Sequence, residues 1–221
     1  MRWRDGVFCH WPVEPAVVQG RLPDRLDVAT HQEKAYLGVV PFVMEAIRPR
    51  GLPERLGRSF PELNLRTYVE RESGVYFFSL DADDRLSVAL ARRVFRLPYY
   101  RARMRFDRRG ERIEIRSRRT STGVPPAAFD ATVEVSGTHR PVERGSLEAF
   151  LVENYRFFTE SDRGRLYVGE VDHEPWRLAT ADVTVRENGL FAANGFEKPA
   201  EAPICHHARP LEVRADRIRS V

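Results

Sequence analysis

Lysine is nearly missing from this chain. Of its 36 basic residues only Lys34 and Lys198 are lysines, so only two side chains could form an imine with a carbonyl compound. Cysteine is equally scarce: Cys9 and Cys205 stand far apart in sequence, too few for a disulfide framework, and their number agrees with a reducing compartment. No apolar run is long enough to span a bilayer, and the opening MRWRDGVFCHW lacks the apolar segment of a signal peptide, so a cytoplasmic protein with no membrane partner is expected. The chain also has no glycine-rich phosphate loop, no GxSxG elbow and no CxxC pair. No cofactor is expected.

What remains is 221 residues, 42% of them hydrophobic, enough for a real core and too apolar for disorder. A single α+β domain over residues 1–221 is the simplest reading, since no repeat, low-complexity tract or linker interrupts it. The net charge is +4. Arginines are dense from Arg92 to Arg119, but Asp107, Glu111 and Glu114 break the run. The stretch Asp107-Arg108-Arg109-Gly110 reads as an exposed hairpin with Ile113 and Ile115 on the opposite face, a solvated surface rather than a nucleic-acid surface.

Residues 59–104 organise the chain. Glu62, Asn64, Arg66 and Tyr68 alternate with Leu63, Leu65, Thr67 and Val69, the period of two that gives a strand one polar and one apolar face. A strand from Gly74 to Leu80 follows the Ser73-Gly74 turn. A helix from Asp84 to Phe95 follows an Asp-rich cap, with Leu86, Leu90, Val94 and Ala91 expected against a sheet, and Pro98 opens a further strand, Tyr99 to Phe106. Before this unit the sequence predicts a strand from Trp3 to Trp11, a short helix over Pro12 to Gly20, a short strand at Leu26 to Val28, and a strand from Lys34 to Ile47. Pro41 should bend or bulge that last strand or place it at an edge. A loop runs from Arg48 to Arg58. After the unit come strands at Arg112 to Arg118 and Phe129 to Val135, a helix over Gly145 to Tyr155 capped by Ser146, and strands at Leu166 to Asp172 and Trp176 to Val185. A short helix near Asn188 to Ala193 and two terminal strands, around Ile204 and from Leu211 to Ile218, complete an antiparallel sheet with a few helices.

A carboxylate, an amide, a guanidinium and a phenol on one strand face are expensive to bury without partners, so that face is either solvated or lines a pocket. Glu62, Asn64, Arg66 and Tyr68, with Tyr99 after Pro98, form the strongest constellation. Burial raises a carboxyl pKa and a nearby guanidinium lowers it, opposed effects that are common where protons move. The bland alternative is a structural ion pair between Glu62 and Arg66. Cys205-His206-His207 reads as an ordinary terminal strand rather than a metal site, because adjacent strand residues point to opposite faces and cannot readily all coordinate one ion. His10 and His173 are core or pocket-wall histidines unless folding brings one beside Glu62.

The segments FCHWPV, KAYLGVVPF, FPELNLRTYV, GVYFFSLDA, LPYYRARM and DHEPWRLATADV together resemble the YqjF-like family of uncharacterised bacterial proteins, placed in the acetoacetate decarboxylase-like superfamily. The resemblance implies an antiparallel, cone-like β-barrel or double sheet with small flanking helices around a pocket, often in a homo-oligomer. It also sets Glu62 against the catalytic glutamate of the decarboxylases and Pro98 against the proline before their Schiff-base lysine. Tyr99 stands where that lysine would be, and a phenol cannot form an imine. Lys34 and Lys198 read as exposed, and the segment matching a second glutamate, Leu37 to Val40, holds no carboxylate. Arg4 is set against an arginine of the decarboxylases' first strand. The expected site therefore uses Glu62 to move a proton and Tyr99 to hydrogen-bond an oxyanion, with Arg66 or Arg103 holding a carboxylate and Asn64 and His10 as further binding residues. Its ligand would be a small organic acid or carbonyl compound, handled by an enzyme or by a non-catalytic binding or sensing domain.

Overall fold

The computed structural model describes residues 1–48, 51–161 and 164–221. In chain order its elements are β1 (Arg2–Arg4), β2 (Val7–Val13), α1 (Pro15–Gln19), β3 (Ala35–Ile47), β4 (Arg58–Val69), β5 (Gly74–Ala82), α2 (Arg85–Val94), β6 (Tyr99–Arg109), β7 (Arg112–Arg119), β8 (Ala128–Pro141), α3 (Leu147–Val152), β9 (Arg156–Glu160), β10 (Leu166–His173), β11 (Arg177–Asn188), α4 (Leu190–Ala193), β12 (Ile204–Ala208), β13 (Leu211–Ala215) and β14 (Arg219–Ser220). Among the described residues no helix is long and apolar enough to cross a membrane.

The pairings close the sheet on itself twice. One ring runs β5-β4-β3-β2-β12-β11-β8-β7-β6 and returns to β5; the other runs β3-β4-β5-β9-β10-β13-β1 and returns to β3. The strands β3, β4 and β5 belong to both. Residues 35–44 of β3 and 62–69 of β4 are accordingly buried on both faces. Two apolar clusters result: one holds Val7, Leu37, Leu65, Ile113 and Phe129, the other Phe8, Val40, Phe42, Tyr68 and Leu80. Alternation along β2, β3 and β4 sends odd and even positions to different clusters.

Several expectations are corrected. The first predicted strand is two, broken at Asp5, whose backbone is left-handed (φ 52°) and whose buried carboxylate accepts from Arg4 and Arg108. Of residues 26–28 only Val28 pairs, as an isolated bridge to Val69. Pro41 puts no bulge into β3 and does not lie on a sheet edge. It keeps register with Leu63 of β4, and on the other side it falls where β2 ends (Cys9 opposite Val39) and β1 takes over (Arg4 opposite Val43), so its missing N–H leaves no ladder bond unmade. The register irregularity lies later, between Met44 and Ile47. In the 48–58 loop, Pro49 lies outside the described residues, and residues 54–56 form a single helical turn. The Arg156–Glu160 strand was not expected at all; it pairs in parallel with β5, Val75 opposite Phe157.

The helix α2 is capped as its sequence predicts, Asp84 accepting from the Ser87 backbone N–H at 2.7 Å. Three of its four expected inward residues face outward, Leu86, Leu90 and Val94 being 66%, 57% and 46% exposed, while Ala91 packs as expected, beside the buried Val88. The chain crosses over through α2, and β6 lies parallel to β5 with Tyr99 opposite Leu80. This crossover sets the position of Tyr99.

Candidate functional site

The polar face of β4 is neither solvated nor an edge. Glu62, Asn64 and Arg66 are 2%, 1% and 6% exposed, facing the second apolar cluster. Glu62 sits between Phe42 of β3 and Ala82 of β5 in register, and its Oε2 accepts a hydrogen bond from the Tyr99 hydroxyl at 2.7 Å. Burial pushes the Glu62 carboxyl up to about 8; the Tyr99 hydroxyl and the neighbouring Asn64 amide act against that rise, and Asp81 adds to it. Burial, with the nearby Glu62, likewise holds the Tyr99 phenol well above its ordinary range.

The ion pair that the two-residue spacing of Glu62 and Arg66 allows is not formed among the described residues. Arg66 donates one Nη2 bond, to the Leu151 carbonyl of α3 at 3.2 Å, and stacks over Phe8 and Tyr68 at 5.3 and 5.7 Å. Its Nε has no partner, and neither atom of the Asn64 amide makes a well-formed hydrogen bond. Buried polar groups left in this state cost about 1–3 kcal/mol each, so this strand face is expensive for the protein to keep.

Across the strands, His10 of β2, Gly38 of β3 and Arg66 of β4 lie in one register row. His10 reaches past Gly38 to make a 2.6 Å hydrogen bond between its Nε2 and the Tyr68 hydroxyl. A Cβ on Gly38 would lie 3.0 Å from the His10 ring and 3.3 Å from the Tyr68 oxygen, so the glycine is what lets the two meet. His10 is fully buried and its pKa falls well below the ordinary imidazole value, first through burial, then through Arg66 and His206. The ring is therefore neutral at physiological pH, and its Nδ1 has no partner.

Folding thus brings Glu62, Tyr99, Asn64, Arg66 and His10 to one buried face. Arg103 is not with them: it is exposed on β6, opposite Arg118 of β7. Arg4 bonds Glu45 and Asp5. Lys34 is partly exposed and paired with Glu14, and Lys198 is exposed. His173, half-buried, stacks on Tyr155. Among the described residues no group of His, Cys, Asp and Glu has the makings of a metal site. His206 and His207 do point apart: His206 is felt by His10, while His207 joins a separate knot with His139 (2.8 Å) and Arg108 (3.2 Å). Sequence reasoning missed Gly38 and the pairing of Tyr68 with His10, since nothing local in KAYLGVVPF shows which ring approaches the glycine. Two recesses open at the surface, one along the β6–β7 hairpin between Arg105 and Glu114, one over α2 between Arg85 and Arg101; neither is lined by the buried cluster.

The profile of a family described as uncharacterized conserved protein, DUF2071, matches residues 1–212. The chain is 38% identical over 214 residues to the uncharacterized protein YqjF of Bacillus subtilis (strain 168), covering 96% of this chain and 87% of that protein. Among solved structures, the enduracididine biosynthesis enzyme MppR complexed with pyruvate superposes with a TM-score of 0.69 at 14% identity, over 99% of this chain and 88% of that one. An acetoacetate decarboxylase-like enzyme from Sphingomonas wittichii RW1 gives a TM-score of 0.64 at 13% identity, over 100% and 91%. At such identities the likeness is one of fold, and the fold is the acetoacetate decarboxylase-like one.

Proposed function

The chain belongs to the DUF2071 family of uncharacterized conserved proteins, and from that premise we propose an enzyme that binds a small organic acid or carbonyl compound at the polar face of β4 and works without an imine. The observation that carries this reading is the buried Glu62 carboxyl, neutral up to about pH 8 and held by Tyr99. Because Oε2 accepts from Tyr99, the acidic proton sits on Oε1, where it is free to pass to a ligand oxygen or carbon. Arg66, a buried cation without a carboxylate partner among the described residues, supplies the charge that an organic acid needs. The Tyr99 phenol, un-ionised at physiological pH, remains a hydrogen-bond donor throughout. That a solved protein of the same fold holds pyruvate supports a ligand of this size and charge.

A thermal-shift screen of small keto, hydroxy and unsaturated acids tests the reading. A binder at a hundred times its dissociation constant adds roughly 2.7 kcal/mol to the stability of the wild-type protein. Glu62→Gln keeps the fold and loses the ligand shift. Full retention of that shift in the variant would remove Glu62 from the site.

A further inference from the structure

We infer that Asn64 selects the ligand, and that it selects a 2-hydroxy acid: the carboxylate on Arg66, the hydroxyl on the Asn64 amide. This deepens the proposed function and rests on it. Asn64 is 1% exposed; its amide lies near enough to Glu62 to act against the rise in that carboxyl's pKa, yet neither amide atom makes a well-formed hydrogen bond. Its neighbours in register are Val40 of β3 and Leu80 of β5, which offer no side-chain donor or acceptor. An amide in that state asks for one group that both donates and accepts. A ketone oxygen only accepts and would leave the Asn64 oxygen unpaired; a carboxylate only accepts as well; a hydroxyl does both. Two residues along the same face stands Arg66, buried and with its Nε unpaired, a donor suited to a carboxylate. On the other side of Asn64, at the preceding position of the same strand face, stands Glu62, whose buried carboxyl accepts from the Tyr99 hydroxyl.

An unpaired amide in an apolar setting also makes a statement about the empty protein. Replacing it by an apolar residue of similar size removes two orphaned groups and should stabilise the free protein while harming recognition, which a residue present only for packing would not do.

Calorimetric titration with the matched triples propionate, pyruvate and lactate, and hexanoate, 2-oxohexanoate and 2-hydroxyhexanoate, decides the matter. In each triple the hydroxy acid is expected to bind at least about tenfold more tightly than the other two, because a site built for a hydroxyl is left with unpaired groups by an analogue that lacks it. Asn64→Leu should melt above the wild type without ligand and bind all three acids of a triple alike. Equal binding of a triple by the wild type, or a preference that survives Asn64→Leu, overturns the role of Asn64 and leaves the proposed acid site standing. Failure of every acid in both triples and in the wider screen to bind the wild type takes down the acid site as well.

Discussion

At the scale of single residues, Glu62 ties function to stability. Its carboxyl is neutral in the folded protein up to about pH 8 and ionises from the ordinary glutamate value of 4.5 when the chain unfolds. Between those values the folded state holds a proton that the unfolded state has lost, so stability is fully present below pH 4.5 and falls as pH rises toward 8. The slope is about 1.4 kcal/mol per pH unit for one fully coupled proton. Glu62→Gln has no such proton. Urea unfolding of both proteins at pH 5, 6.5, 8 and 9.5 should show the variant gaining on the wild type up to about pH 8 and holding a constant lead beyond it; parallel pH profiles would mean that the carboxyl is ionised in the folded protein. Glu62 and Tyr99 were legible in the sequence, because alternation gave the face of one and Pro98 the position of the other. Gly38 was not, because its significance lies in two rings supplied by β2 and β4.

At the scale of elements, α2 shows where periodicity stops. Leu86, Leu90 and Val94 recur at four-residue spacing as well as any core stripe does, yet it is Val88 that packs inward, with Ala91 and Phe95 beside the same cluster. Helical spacing identifies stripes; the cap at Asp84 and the return of the chain into β6 decide which stripe meets the sheet. Serine at Leu86 or Leu90 is therefore expected to change stability by no more than about 0.5 kcal/mol, and Val88→Ala to cost about 1.5 kcal/mol from two lost buried methyl groups. Denaturant midpoints compare them directly, and a larger loss from Leu90→Ser than from Val88→Ala would reverse the orientation of the helix. The strand β9 is hard to read for a related reason: its five residues, with two adjacent phenylalanines, carry no period of their own, although it pairs with the next strand, β10, as well as with β5 far back in the chain.

At the scale of the whole molecule, the fold of a decarboxylase persists without a buried amine. Both lysines are on the surface, and the carboxylate of Glu14 beside Lys34 raises its pKa, keeping it an ammonium. Incubation with acetoacetate and borohydride should leave the intact mass unchanged; an adduct mapped to Lys34 or Lys198 would return imine chemistry to this chain from a position the buried cluster does not contain. The double closure of the sheet has a consequence of another kind. A wall with an interior on each side stores its instructions in the parity of its residue numbers: in β4 even positions speak to one compartment and odd positions to the other. Deleting one residue inside β4 would exchange the two messages, sending guanidinium and carboxyl among Leu37 and Val39 while leucines take over the proposed site. Deleting two would keep every message on its side and only shorten it. For this strand, then, insertions and deletions should be sorted by evolution according to whether they are odd or even, a grammar that ordinary half-exposed strands enforce on one face alone.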